Sequence, residues 1–238
     1  MTDAAALELA SEATWPPVRR VEVPGFDLRE GAGGGKRVSA ATARPGWSAT
    51  QIDDAAAAMR ARGDAPLFRV RADDIALDTE LAARGYGMVD PTVLFVAPTA
   101  DLAGIDVPRV TAFCLWEPLA IQREMWAAGG IGAERRAVMA RAVSPKTSIL
   151  GRIRDKPGGT AFCAVSDGIA FVHALEIVAS QRRQGLARWM MIAAAQWAAQ
   201  EGAVRIAALC TEANTAAAAL YAHLGFARQA GYHYRSAT

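Results

Sequence analysis

Between residues 148 and 178, three apolar runs (148–154, 159–165 and 169–178) are separated by two turn signals, Asp155-Lys-Pro-Gly-Gly159 and Ser166-Asp-Gly168. Short apolar runs joined this tightly fold as an antiparallel meander. The pattern then changes period. Over 186–201 strong helix formers carry Leu186, Met190, Ala193, Ala194 and Trp197 on one face, until Gly202 stops the helix. That apolar stripe is expected to lie on the sheet. A strand at 205–210, an alanine-rich helix at 215–224 ended by Gly225, and a last strand at 226–234 complete the order. Upstream, 118–128 and 133–142 read as helices around Gly129-Gly-Ile-Gly132, after a strand at 110–114. The class is α/β in the α+β sense: a mixed, mostly antiparallel sheet flanked by helices.

The first half repeats part of that order. A hairpin over 26–42 surrounds Gly31-Ala-Gly-Gly-Gly35, followed by a helix at 49–61, a strand at 67–70, a helix at 76–84 and a strand at 93–96. Laying Gly85-Tyr86 on Gly225-Phe226 shows a pseudo-repeat, each pair following a short helix and preceding a terminal strand. In that alignment Leu81 takes the place of Tyr221, so the first copy lacks a hydroxyl. The boundary is expected in the loop-like stretch 98–108, dividing the chain into 1–104 and 105–238, a tandem arrangement.

Composition narrows the functions. Twenty-six Lys and Arg against 24 Asp and Glu leave a net charge of +2, with no dense basic block to follow a phosphate backbone. Nucleic acid is therefore not an expected partner. Cys114, Cys163 and Cys210 are far apart, without metal-ligand spacing, and are read as reduced, buried thiols. Asp3, Glu8 and Glu12 interrupt what a secretory signal would need, and the most apolar stretch, 185–199, is shorter than a bilayer span. The expectation is a soluble, cytoplasmic protein without metal or membrane association. Gly31-Ala-Gly-Gly-Gly-Lys36-Arg37 lacks both the first glycine and the hydroxyl residue of a phosphate loop and reads as a flexible turn. His223 and His233 receive no role, and Trp116, Met125 and Trp126 read first as core.

One motif points to chemistry. Arg182-Arg183-Gln184-Gly185-Leu186-Ala187 fits R/Q-x-x-G-x-G/A where a strand passes into a helix. Small residues at 185 and 187 let a ligand approach the backbone, and the unpaired N–H groups of the first helical turn attract anions. A pyrophosphate there would meet several amides and the positive helix end, with Arg182, Arg183 and Arg188 adding charge. The same pattern at Arg60-Ala-Arg-Gly63-Asp-Ala65 follows a helix and leads to a strand, so its amides cannot cradle an anion.

The block from Leu175 through Glu176, Ile177 and the motif to Ala187 resembles the acetyl-CoA signature of the GNAT superfamily. Asn214 and Leu220-Tyr-Ala-His-Leu-Gly-Phe226 look like its second block, and the resemblance covers about residues 108–238. It implies a GNAT fold, acetyl-CoA as donor, and a degenerate GNAT-like N-terminal half. By the same resemblance Asn214 contacts the pantetheine arm. Tyr221, two helical turns later, protonates the departing thiolate as general acid. A backbone N–H near Ile177 would stabilise the carbonyl oxygen. The strand before the motif should splay from 205–210 to admit pantetheine.

His173 is the first candidate for general base. The segment His173-Ala-Leu-Glu-Ile177 looks like the matching strand of serotonin N-acetyltransferase, which has a further His where this chain has Phe171. Glu176 is the alternative, although strand alternation sends it to the face opposite His173 unless a bulge intervenes. The implied activity is direct acetyl transfer to a primary amine of a small molecule or peptide in a ternary complex. A non-catalytic acetyl-CoA-binding sensor or docking module is the alternative.

Overall fold

The computed structural model describes residues 3–237. Its elements begin with α1 (Asp3–Ala13), β1 (Arg19–Val23), β2 (Phe26–Glu30), β3 (Thr42–Ala43), α2 (Ala49–Ala61), β4 (Leu67–Arg71), α3 (Ile75–Ala83), β5 (Gly87–Pro98) and α4 (Ala100–Ala103). They continue with β6 (Ala112–Leu115), α5 (Ala120–Ala128), α6 (Ala133–Arg141), β7 (Lys146–Ile153), β8 (Lys156–Ser166), β9 (Ile169–Ile177), α7 (Leu186–Gln200), β10 (Arg205–Thr211), α8 (Thr215–His223) and β11 (Ala227–Ser236). Two compact units interleave along the sequence. One takes the chain up to Pro16, Phe95–Leu209 and Ala216–Arg228; the other takes Pro17–Leu94, Cys210–Thr215 and Gln229 onward. Relative to the expected division at 104/105, α1 joins the C-terminal meander and β11 joins the N-terminal strands.

In the first unit, β6, β7, β8 and β9 form the antiparallel meander, and β10 adds parallel to β9. The Asp167-Gly168 turn has positive φ at both residues, as a two-residue hairpin requires. The other turn is displaced from its expected place. Arg154 and Asp155 make it, while Pro157, Gly158 and Gly159 lie inside β8. Those glycines serve packing instead. A Cβ on Gly159 would meet Ile177 Cδ1 and Met190 Sδ at 2.7 Å, one on Gly151 would strike Met190, and one on Gly158 would strike Gln181. Their bare backbones let the first turns of α7 settle close to the sheet. The opposite face carries α1 and α5, whose Trp126 is fully buried.

In the second unit, β1, β2 and β3 form an antiparallel sheet, with Val21 opposite Leu28 and Phe26 opposite Ala43. The expected 26–42 hairpin has a wide loop: Lys36–Val38 form a turn of 3-10 helix, and Lys36 pairs with Asp90 at 2.6 Å. A capping box, with the Ser48 N–H donating to Gln51 Oε1 at 2.8 Å, starts α2. Phe26, Phe68, Met59 and Leu81 form the core. Strand β11 pairs antiparallel with β4, Tyr232 to Ser236 opposite Arg71 to Leu67.

The pseudo-repeat has a backbone counterpart. Gly85 and Gly225 have φ of +81° and +82°, and each donates to the residue three before it, Ala82 O at 2.9 Å and Ala222 O at 3.1 Å. Tyr86 N–H donates to Leu81 O and Phe226 N–H to Tyr221 O, both at 3.0 Å. Both helices therefore end in the same left-handed glycine cap.

Candidate active site

The donor motif lies between β9 and α7. Val178 N–H donates to Gly158 O at 2.9 Å, a short 3-10 turn spans Ala179–Gln181, and Arg183 adopts φ +61°. Gly185 then caps α7 at φ +81°, ψ 0°, a conformation glycine adopts without a Cβ penalty. The first helical bond runs from Trp189 N–H to Gly185 O at 3.3 Å, and no side chain caps the helix start. The N–H groups of Leu186, Ala187 and Arg188 therefore have no acceptor within the helix. Fifteen residues of helix stand behind them, placing partial positive charge where an anion would bind.

Beside this loop β9 and β10 separate. Their parallel register ends at Ala208 opposite Val172, while β9 continues to Ile177. The Val178 N–H is directed to β8, so strand alternation turns the Ile177 N–H toward the edge that β10 has left. The Ile177 carbonyl accepts from Arg182 Nε at 3.0 Å, and the same guanidinium reaches Glu176 Oε1 at 2.9 Å. Arg188 stacks on the ring of Trp189. Leu175 and Gln184 flank this region, partly exposed and exposed respectively.

A bulge does intervene on β9. Thr160 pairs with Glu176 but Phe162 with His173, so one extra residue lies on β9, and Ala174 takes φ +53°. Trp126 Nε1 donates to the Ala174 carbonyl at 2.8 Å. His173 and Glu176 consequently share a face, opposite residues two apart on β8. Their environments differ. His173 is 4% exposed, bonded through Nε2 to Thr14 Oγ1 at 2.9 Å and stacked on Phe171, with Trp15 and Phe162 close by. The Glu176 side chain is 22% exposed and lies against Gly129, where a Cβ would meet its Cγ at 2.7 Å.

Tyr221 is 5% exposed, its ring 5.3 Å from Phe95 and 5.7 Å from Phe226. Asn214 is exposed in the turn that precedes α8, its N–H donating to Thr211 O at 2.9 Å. Met125 and Trp126 are core, whereas Trp116 is 40% exposed. Cys163 and Cys210 are buried. Cys114 corrects the expectation: the residue is exposed, although its thiol turns onto the Ala193 carbonyl and desolvation lifts its pKa to about 11.

Among the described residues no cluster of His, Cys, Asp or Glu could hold a metal ion, and no helix is long and apolar enough to cross a membrane. Sequence reading missed α1 with Thr14 and Trp15, the bulge partner Trp126, and the glycines under α7. Of these only the Pro157-Gly-Gly159 run gave a signal, and it also reads as a turn.

Residues 121–226 match the model of the acetyltransferase (GNAT) family. This segment is a GNAT domain. No curated protein matches the chain. A GCN5-related N-acetyltransferase from Kribbella flavida is similar in fold, with a TM-score of 0.77 and 22% identity over 99% of this chain and 96% of that one. A tandem GNAT protein from the clavulanic acid biosynthesis pathway aligns over 97% of this chain and 87% of its own, with a TM-score of 0.60 and 13% identity. A GCN5-related N-acetyltransferase from Sphaerobacter thermophilus covers 72% of this chain and 59% of itself, with a TM-score of 0.54 and 13% identity. These likenesses establish the GNAT fold, in which the open amides at the start of α7 occupy the segment matched by the family.

Proposed function

We propose that the GNAT domain transfers acetyl from acetyl-CoA to a primary amine of a small molecule or peptide, by direct attack in a ternary complex. The observation that carries this reading is the uncapped start of α7 behind Gly185, set beside the point where β10 leaves β9. A diphosphate suits the amides of Leu186, Ala187 and Arg188, with Arg182, Arg183 and Gln184 around it, and an extended arm suits the free strand edge. Leu175 and Ile177 border that edge. The Ile177 N–H would donate to the carbonyl oxygen as charge develops there. Tyr221 would return a proton to the leaving sulfur.

For the base we favour Glu176, directly or through one water. His173 is enclosed by aromatic rings and engaged with Thr14, which suits a residue that holds the strand in place, while Glu176 keeps a partly exposed carboxylate, paired with Arg182, on the same face. Residues 1–104 are proposed to be a degenerate GNAT copy. The shared glycine caps and the Leu81 for Tyr221 replacement support that reading, as does the likeness to a tandem GNAT protein. No metal takes part in this scheme, and the reaction is assigned to the cytoplasm. One observation favours the sensor reading: the deep burial of the Tyr221 ring, which suits a packing role. Calorimetric titration of acetyl-CoA into the protein and a Gly185→Glu variant, followed by an amine screen, tests the proposal. Binding lost only in the variant supports the donor site; no binding to the folded parent would reject it. Binding without turnover of any amine would select the sensor.

A further inference from the structure

Beside the first turn of α7, within the same unit, lies a cavity of about 350 Å³. Its wall comes from residues 108–111, the β7–β8 hairpin at 152–155, and Gln184, Leu186 and Trp189. Three of the lining residues are arginines, Arg109, Arg152 and Arg154, against one acid, Asp155. Arg152 neutralises that acid, with its Nη2 3.7 Å from the carboxylate and 3.0 Å from the Asp155 carbonyl. Among the described residues Arg109 and Arg154 have no carboxylate partner. Both are exposed, and together they give this concavity a positive field that an anion would meet.

The backbone of the same wall is unusual. Val110 has φ +61°, Arg154 +49° and Asp155 +62°. A β-branched residue in the left-handed region is an outlier, and such strain persists where the surroundings fix it, commonly at ligand clamps. The Arg152 N–H to Thr111 O bond, at 2.7 Å, ties the two strained segments together. The cavity also shares Gln184 and Leu186 with the donor loop, so the arginine-lined concavity adjoins the loop amides.

We propose that this cavity is a receptor for a phosphate monoester, held by Arg109 and Arg154. A dianionic group with three acceptor oxygens matches two guanidinium forks, which a singly charged carboxylate does not. The monoester is either the 3′-phosphate of the donor or that of a separate phosphorylated ligand. The first case rests on the acetyl-CoA reading above.

The test compares the parent with an Arg109→Gln/Arg154→Gly variant by titration calorimetry, using acetyl-CoA, acetyl-dephospho-CoA and inorganic phosphate. Glycine suits the left-handed φ at 154, so the turn is retained; should the double variant not fold, Arg109→Gln alone is measured. The expected result is that the parent binds acetyl-CoA about tenfold more tightly than the dephospho form, a ratio of one charge-assisted contact, and that the variant loses the difference. If the parent binds both thioesters equally and binds phosphate only when the arginines are present, the receptor serves a separate ligand. A variant that binds all three probes as the parent does overturns the proposal. Failure of the parent to bind either thioester rejects the acetyltransferase reading, and the phosphate titration then decides the cavity by itself.

Discussion

A phenol packed between Phe95 and Phe226 can act as a general acid only if its hydroxyl reaches the reacting sulfur, so Tyr221→Phe is the most informative single substitution. It conserves the ring packing and removes one oxygen. Expected is a fall in kcat of about 10²- to 10⁴-fold, the usual range for a positioned acid, with acetyl-CoA affinity retained. Turnover equal to the parent would return Tyr221 to the core. Glu176→Gln separates the two candidate bases, because it keeps the shape that Gly129 accommodates and abolishes proton acceptance. We expect kcat/KM to drop by a similar factor with acetyl-CoA affinity retained. His173→Gln should instead act mainly on stability, since it disturbs the buried bond to Thr14 Oγ1. A comparable fall in kcat/KM in a folded His173→Gln variant, with Glu176→Gln active, would reverse the assignment.

The start of α7 depends on glycines for two separate reasons, which substitution can tell apart. At Gly159 the backbone is ordinary, but an added methyl would meet Ile177 and Met190 at 2.7 Å. Gly159→Ala should cost about 1–3 kcal/mol through overpacking, read as a lower denaturation midpoint at unchanged m-value. Gly185 has open space around it, with Trp189 Nε1 at 4.0 Å its nearest neighbour, but φ of +81°. Gly185→Ala should cost roughly 1–2 kcal/mol through backbone strain alone. If the strain is relieved by shifting the loop, acetyl-CoA binding weakens with it. On β9 the bulge puts the Glu176 carboxylate on the same face as His173, and the Trp126 indole holds it by donating to the Ala174 carbonyl.

Across the molecule, β4 depends on β11, which comes from the far end of the chain. A fragment of residues 1–104 lacks that partner for Leu67 to Arg71, leaving a strand edge unpaired. It should show no cooperative thermal transition until a peptide covering 229–238 is added; a sharp transition without the peptide would count against this. The same strand carries an electrostatic tie. Asp78 on α3 accepts from Arg235 Nε at 2.7 Å and from His233 Nε2 at 2.6 Å. The Arg235 hydrogen bond, aided by His233, holds the Asp78 carboxyl below the usual carboxylate range against the opposing effect of burial. A depressed carboxylate contributes stability above its unfolded pKa, and that contribution is lost as pH falls through the lower folded value. Parent stability should therefore decline below about pH 4, and Asp78→Asn should flatten the decline. An unchanged acid limb in the variant would remove Asp78 from this role.

Period and punctuation were enough to read the order of elements from 146 to 236, because each strand and helix there carries its own apolar pattern and its own stop. Local chemistry likewise marked Gly185 and the pseudo-repeat of Gly85 and Gly225, since a left-handed cap is a property of a few consecutive residues. Tertiary contacts determined the remainder. Helix α1 has only a narrow buried stripe of Leu7, Ala10 and Ser11, too weak a signature beside its many alanines. The bulge at Ala174 has no sequence mark of its own, because it arises from pairing with β8 and from an indole 48 residues away. Whether Pro157-Gly-Gly159 makes a turn or a seat for a helix depends on what packs above it, and the arginines at 109, 152 and 154 come together only when the hairpin folds beside the start of α7.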